Sequence, residues 1–262
     1  MTPTSRINIL LMAWCIICLI YAFTTHYQYI IINYSCINQR NNLSKILNQQ
    51  QQRIGQLECE HITQISTTGG WCKKDSTEDG GNHMTDLDLA AGLIEFLKDK
   101  TIASFGDGPG RYKQIFLDSK KVKSYDAYDG APYCETTSGG RVVFLDLSIP
   151  QFGIPTYDWI ISLEVAEHIP KKFEHIFIDN IVRHAKEGII LSWAHPGQGG
   201  HSHVNNQPFE YVKNLLDRVG FSHNEAESTK LKNLSSFPWF KANVNVYKRK
   251  NLITVNKMQY DA

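Results

Sequence analysis

An excess of either charge is missing from this chain. Its 27 Lys and Arg stand against 26 Asp and Glu, a formal net charge of +1. That balance gives neither a field that gathers nucleic acid nor an acidic tail. No basic run is interleaved with aromatics, so no nucleic-acid partner is expected. Among the 6 cysteines no zinc spacing is found, and no internal repeat is visible. No uncharged apolar run reaches the roughly 18–20 residues of a comfortable membrane span. The longest is fifteen residues, Ile9 to Phe23.

What is present is one globular domain's worth of sequence behind an unlike N-terminal part. The 262 residues suit a domain of roughly 100–200 residues plus an appendage. Three readings of the 9–23 run compete: a buried core helix, a cleaved signal peptide, and an uncleaved signal anchor. The first is disfavoured by the polar sequence that follows. The second has only a weak cleavage site at Ala22-Phe23-Thr24. The third is preferred. Arg6 precedes the run and no Lys or Arg follows until Arg40. Positive charge stays cytoplasmic, so the C-terminal bulk is expected in the lumen of the ER or Golgi, or secreted if residues 1–24 are cleaved.

Cys36, Cys59, Cys72 and Cys134 form an even set in the exported part, which suggests disulfides. Pairing Cys36 with Cys59 and Cys72 with Cys134 would keep each bond within a local unit. Sequons at Asn33, Asn42 and Asn233 agree with export and with a glycoprotein, though weakly. Residues 25–68 read as a polar stem rich in Asn and Gln. Leu43, Ile46, Leu47, Ile54 and Leu57 recur at near-helical spacing, too briefly for a dependable coiled coil. A mobile stalk is the expectation.

From residue 69 to 250 the pattern turns globular, leaving 251–262 as a tail. Residues 85–98 predict an amphipathic helix capped by Thr85. Strands are expected at 101–105, 122–128, 141–145, 157–163, 188–193 and 243–247. Helices are expected at 111–119, 171–185 and 207–219, the last stopped by Gly220. Strands alternating with helices imply an α/β fold, a Rossmann-like, mainly parallel sheet covered on both faces.

Ligands of such sheets bind beyond the carboxyl ends of the strands. There the polar residues gather. Gly106-Asp107-Gly108-Pro109-Gly110 follows the first strand and opens a helix. Asp126 and Asp129 lie 20 and 23 residues past Gly106, where a carboxylate can accept from ribose hydroxyls. Asp146 ends the third strand, placed to accept from an adenine amino group. Any one aspartate is readily a turn or cap residue; three at successive strand ends are harder to read so. A dinucleotide loop, G-x-G-x-x-G, cradles pyrophosphate on a helix N-terminus. Here the last glycine comes one residue early, and Asp107 inside the loop favours a cationic ligand.

These segments, F-G-D-G-P-G (105–110), Y-D-A-Y-D-G-A-P (125–132), F-L-D-L-S (144–148) and Y-D-W-I-I-S-L-E-V-A-E-H-I-P (157–170), resemble the class I S-adenosylmethionine-dependent methyltransferases. T-G-G-W-C (68–72) and S-W-A-H-P-G-Q-G-G-H-S-H-V-N-N (192–206) look like an invertebrate methyltransferase-like group of unknown substrate. The resemblance spans roughly 70–250 and implies an enzyme using S-adenosylmethionine. It would put Gly106, Asp107, Gly108 and Gly110 along the methionine part. Asp129, with Asp126 as second choice, would take the ribose. Asp146 and Leu147 would meet adenine, and Leu163 and Glu164 would close the methyl-donor side.

The acceptor end is read from 194–206. His201 and His203 lead as general bases for a hydroxyl acceptor, with His168 and His195 behind. His201-Ser-His203 resembles half of a metal site, but no matching acidic or histidine partner is evident, so no metal is expected. O-methyl transfer to a hydroxyl or carboxyl, on a glycan for example, fits the layout of anchor, stem and lumenal domain. The alternatives are a cytosol-facing methyltransferase of small molecules or proteins, and a non-catalytic cofactor-binding or adhesion module that keeps the fold.

Overall fold

The computed structural model describes residues 3–61, 65–72 and 83–250; side chains before Trp14 and at 15–17, and the 251–262 tail, lie outside the described residues. One helix, α1, runs from Pro3 to His61. The domain follows as α2 (Leu87–Phe96), β1 (Thr101–Phe105), α3 (Arg111–Ser119), β2 (Ser124–Asp129), α4 (Cys134–Thr137), β3 (Val143–Phe144), β4 (Tyr157–Ser162), α5 (Glu174–His184) and β5 (Ala185–Leu191). It closes with α6 (Phe209–Arg218), β6 (Phe221–His223), α7 (Glu225–Leu234), α8 (Pro238–Asn243) and β7 (Asn245–Arg249).

The seven strands lie in the order β3-β2-β1-β4-β5-β7-β6. The first five are parallel, while β7 runs antiparallel to both β5 and β6. The Rossmann-like α/β expectation therefore holds. Sequence reading had missed β6, α4, α7 and α8, and it gave no direction to the last strand.

Alternation along each strand explains the two cores. Ala103, Ile160 and Ile189 pack with Phe177 and Ile181 of α5 and Leu216 of α6. Their neighbours Ile102, Ile161 and Ile190 pack on the other face with Leu93 of α2, Phe116 of α3 and Leu231 of α7. Successive side chains point to opposite faces, so a strand covered on both sides must be apolar throughout. Each such side chain contributes about 1.5–3 kcal/mol by burial. Ile160→Ala would leave a void and cost about 2–5 kcal/mol.

Three local expectations are corrected. Asp86, not Thr85, caps α2: its Oδ1 accepts the Leu89 N–H at 2.9 Å. The disulfide joins Cys59 to Cys72, while Cys36 is exposed and Cys134 buried, both as thiols. Pairing by local unit failed because α1 and the turn at 65–72 meet over the sheet edge. The stem, finally, is no mobile stalk over its C-terminal part.

The stem's docked face is polar. The Asn48 amide donates to the Phe144 carbonyl at 2.9 Å and accepts from the Asp146 N–H at 3.0 Å. Ser44 Oγ accepts the Phe152 N–H at 3.0 Å. Gln52 and Gln56 both donate to the Pro132 carbonyl at 3.2 Å. Positions 44, 48, 52 and 56 recur every four residues and so share one face. Leu43, Ile46, Leu47, Ile54 and Leu57 are exposed on the other side. Two of the three sequons, at Asn42 and Asn233, have their serines, Ser44 and Ser235, buried in the fold. Among the described residues no helix is long and apolar enough to cross a membrane.

Candidate active site

The chain leaves β1 toward β2 and β3, then crosses back to β4 on β1's other side. That reversal opens a crevice at the carboxyl ends of β1 and β4, the usual ligand site of open α/β sheets. A cavity of about 890 Å3 lies there, within the roughly 300–1,000 Å3 of small-molecule sites.

The turn after β1 forms its floor. Gly106 has φ +95°, a conformation that strains any residue with a Cβ. An added Cβ would also sit 2.2 Å from Val165 Cγ2. Asp107 is buried. Its Oδ1 accepts the Tyr125 hydroxyl at 2.8 Å and its Oδ2 the Lys113 N–H at 3.4 Å. Burial pushes this carboxyl up to about 6.

Asp129 ends β2 and lines the cavity. It accepts the Gly108 N–H and the Ala131 N–H, each at 2.8 Å, one on each oxygen. Each carboxylate oxygen still has capacity for a further donor. Burial raises its carboxyl above the ordinary range. Asp126, three residues earlier, projects from the opposite face of β2. It accepts the Tyr157 hydroxyl at 2.8 Å and does not line the cavity. The structure thus separates the two candidates for the ribose position.

Asp146 and Leu147, past β3, both line the cavity. Asp146 accepts the Ser148 N–H at 2.7 Å and the Gln51 amide of α1 at 3.3 Å. Its carboxyl is also raised by burial. Leu163 and Glu164 follow β4 and line the wall beside β1. Glu164 adopts φ +53°, strain of a kind found at ligand sites. The Ser192 hydroxyl accepts its N–H at 2.7 Å, and its carboxylate accepts from Asn243 at 2.8 Å and Gln198 at 3.0 Å. Gly110 caps α3 with φ +81° and stands behind the lining rather than in it.

His168, His201 and His203 all line the far end of the cavity, whereas His195 is exposed outside it. An extended His201-Ser-His203 would have sent the two rings to opposite faces. Ser202 instead takes φ +59°, and the turn keeps both rings on the cavity. Burial, then repulsion from His203, lowers His168 to about 4. His203 lies beside His168, ring centroids 5.1 Å apart. His201 packs edge-on against Trp71 at 6.0 Å.

Sequence reading gave no role to Trp71, His83, Glu167, Asn48 or Gln51. Trp71 and His83 line the cavity with ring centroids 4.6 Å apart. The turn carrying Trp71 reaches the site because Gly70 has no side chain: a Cβ there would meet the Gly130 carbonyl at 2.1 Å. Glu167 neighbours His168 and was hidden by looking for partners at ligand spacing around His201 and His203. Asn48 and Gln51 carried no signal in an Asn/Gln-rich run.

No family model matches the sequence, and no curated protein matches it. Solved structures do. A TehB-like methyltransferase from Corynebacterium glutamicum is 19% identical, with 66% of this chain and 94% of that chain covered and a TM-score of 0.46. Magnesium protoporphyrin IX methyltransferase from Synechocystis is 15% identical over 62% and 76%, with a TM-score of 0.45. The putative methyltransferase bound to the Trm112 activator of Haloferax volcanii is 12% identical over 67% and 94%, with a TM-score of 0.49.

Proposed function

We propose that this chain is an S-adenosylmethionine-dependent methyltransferase acting on a hydroxyl or carboxyl acceptor. One observation carries the reading. Asp107, Asp129, Asp146 and Glu164 stand after four neighbouring strands around one cavity, with three imidazoles at its far end. Three of these carboxyls are pushed up by burial, an environment that a cationic ligand relieves and a pyrophosphate worsens. When bound, S-adenosylmethionine supplies an electrophilic methyl group on a sulfonium.

The chain's own residues divide the remaining work. The Gly106–Gly108 backbone gives close approach for the methionine part, with Asp107 beneath it. Asp129 accepts from the ribose hydroxyls. Asp146 accepts from the adenine amino group, with Leu147 as an apolar wall. Leu163 and Glu164 close the donor side. Holding donor and acceptor in line supplies much of the rate, and an imidazole at the far end takes the proton of a hydroxyl acceptor.

The same proposal places the domain outside the cytosol, anchored through the N-terminal helix. The Cys59–Cys72 disulfide supports an oxidising compartment over the cytosol-facing alternative. Leu19, Ile20, Phe23, Ile30, Ile31 and Ile32 are exposed on α1, apolar surface that suits a membrane face or a partner. A glycan hydroxyl is the acceptor that this layout favours.

Titration of S-adenosylmethionine into the full chain by calorimetry tests the reading: a single site is expected, and a folded chain that gives no binding refutes it. For the location, the domain should resist protease in intact microsomes; complete digestion would put it on the cytosolic face.

A further inference from the structure

Glu167 is 0% exposed, and neither of its carboxylate oxygens has a hydrogen-bond partner. A buried carboxylate costs several kcal/mol unless something neutralises it. A proton shared with the neighbouring Glu164 carboxylate is one way to neutralise it; a cation held by Glu167 together with adjacent imidazoles is the other. The nearest group of opposite tendency is His203, whose Nε2 stands 4.0 Å from Glu167 Oε1. His168 and His203 each also leave a buried Nδ1 without a partner.

The arrangement is held by backbone. Glu167 and His168 sit on the tight turn Ala166–His168. The Glu167 carbonyl accepts the N–H groups of Val204 and Asn205 at 2.9 and 3.0 Å. Those two bonds fix His203 over the turn. One donor atom from each of Glu167, His168 and His203 lies within 4.8 Å of the others.

We propose that Glu167, His168 and His203 hold a divalent first-row transition-metal cation at the acceptor end of the cavity. Two imidazoles and one carboxylate suit Mn2+, Fe2+, Co2+ or Zn2+; Mg2+ and Ca2+ prefer all-oxygen sets. Ligand atoms around one ion at about 2.1 Å stand about 3–3.5 Å apart, so movements of about 1 Å complete the set. His168 and His203 face the cavity, which leaves open coordination positions toward an incoming acceptor.

The use of the ion rests on the methyltransferase reading; its binding does not. An acceptor hydroxyl oxygen bound to the cation loses its proton more readily. His201, outside the cluster and against Trp71, takes that proton. The new O–CH3 bond then forms as the S–CH3 bond breaks, and the cation keeps its oxidation state.

The test uses the untagged full chain, stripped with chelator and titrated with Co2+ alone, then with Mn2+ and Zn2+, by calorimetry and visible absorption. About one Co2+ per chain is expected, with a rise in melting temperature. Glu167→Gln and His203→Asn should each weaken binding by at least roughly 100-fold, while His195→Asn leaves it unchanged. If Glu167→Gln does not fold, His203→Asn carries the comparison. Failure of the folded wild type to take up any of the three ions, or equal uptake by both variants, overturns the proposal. A parallel titration with S-adenosylmethionine separates the two claims. Metal without methyl donor sinks the proposed function alone, and methyl donor without metal sinks this inference alone.

Discussion

At the nucleotide end of the cavity, all six carboxylate oxygens of Asp107, Asp129 and Asp146 already accept a hydrogen bond from the chain. At the acceptor end, Glu167, His168 and His203 each keep a buried side-chain atom without one. Buried polar groups are normally satisfied. The acids of the first end are therefore satisfied by the fold and aimed by strand ends and backbone, although the Ser148 Oγ beside Asp146 has no partner. The second end is arranged around something that the chain itself does not supply.

Removing a group at the acceptor end should have the largest effect. His201→Gln is expected to lower methyl transfer roughly 10²–10⁴-fold with S-adenosylmethionine affinity nearly unchanged, read by steady-state kinetics beside calorimetry. A matching loss of donor affinity would show that the two ends are not separable.

The nucleotide end depends on the staple that brings α1 and Trp71 to it. Cys72→Ser opens a loop of sequence separation 13 and should cost about 3 kcal/mol of stability, measured by urea unfolding. Asn48→Ala should cost less, about 1–3 kcal/mol, because it strands the Asp146 N–H. Wild-type stability in both variants would return residues 41–61 to the role of a loose stalk.

The smallest effect is one of pH. Asp107 stands at about 6 in the folded chain against an ordinary 3.8. Between those values the folded state binds more protons than the unfolded, so this group's contribution to stability falls as pH rises from about 4 to about 6. Binding of a cationic donor runs the other way, since it favours the ionised form. Donor affinity should drop by roughly tenfold per pH unit below 6, and Asp107→Asn should flatten that slope. A flat wild-type profile would remove Asp107 from the methionine site.

The two ends also differ in how far the sequence reveals them. The β1–α3 segment, Thr101–Phe105 and Arg111–Ser119, is divided by a glycine-rich turn, and its bounds were legible to the residue. Asp126 and Asp129 could not be separated by spacing, because an uncertainty of one residue in strand phase exchanges the faces. The Glu167–His203 contact joins loops after β4 and β5, and no local pattern reports such a meeting. The α7 helix was overlooked because its sequence, EAESTKLKNL, has too few apolar residues to show a stripe. The docking of α1 was illegible for the opposite reason. Its visible apolar stripe faces outward, and the face that binds the domain is made of Ser, Asn and Gln.

The direct test of the central claim is S-adenosylmethionine affinity in the full chain beside Asp129→Ala and Asp126→Ala, all three shown to be folded by circular dichroism. Asp129 faces the cavity and Asp126 the Tyr157 hydroxyl. The wild type should bind at one site. Asp129→Ala should lose about 1–3 kcal/mol of binding free energy, and Asp126→Ala should bind as the wild type does. Equal affinity in all three, or a loss confined to Asp126→Ala, would contradict the placement of the methyl donor in this cavity.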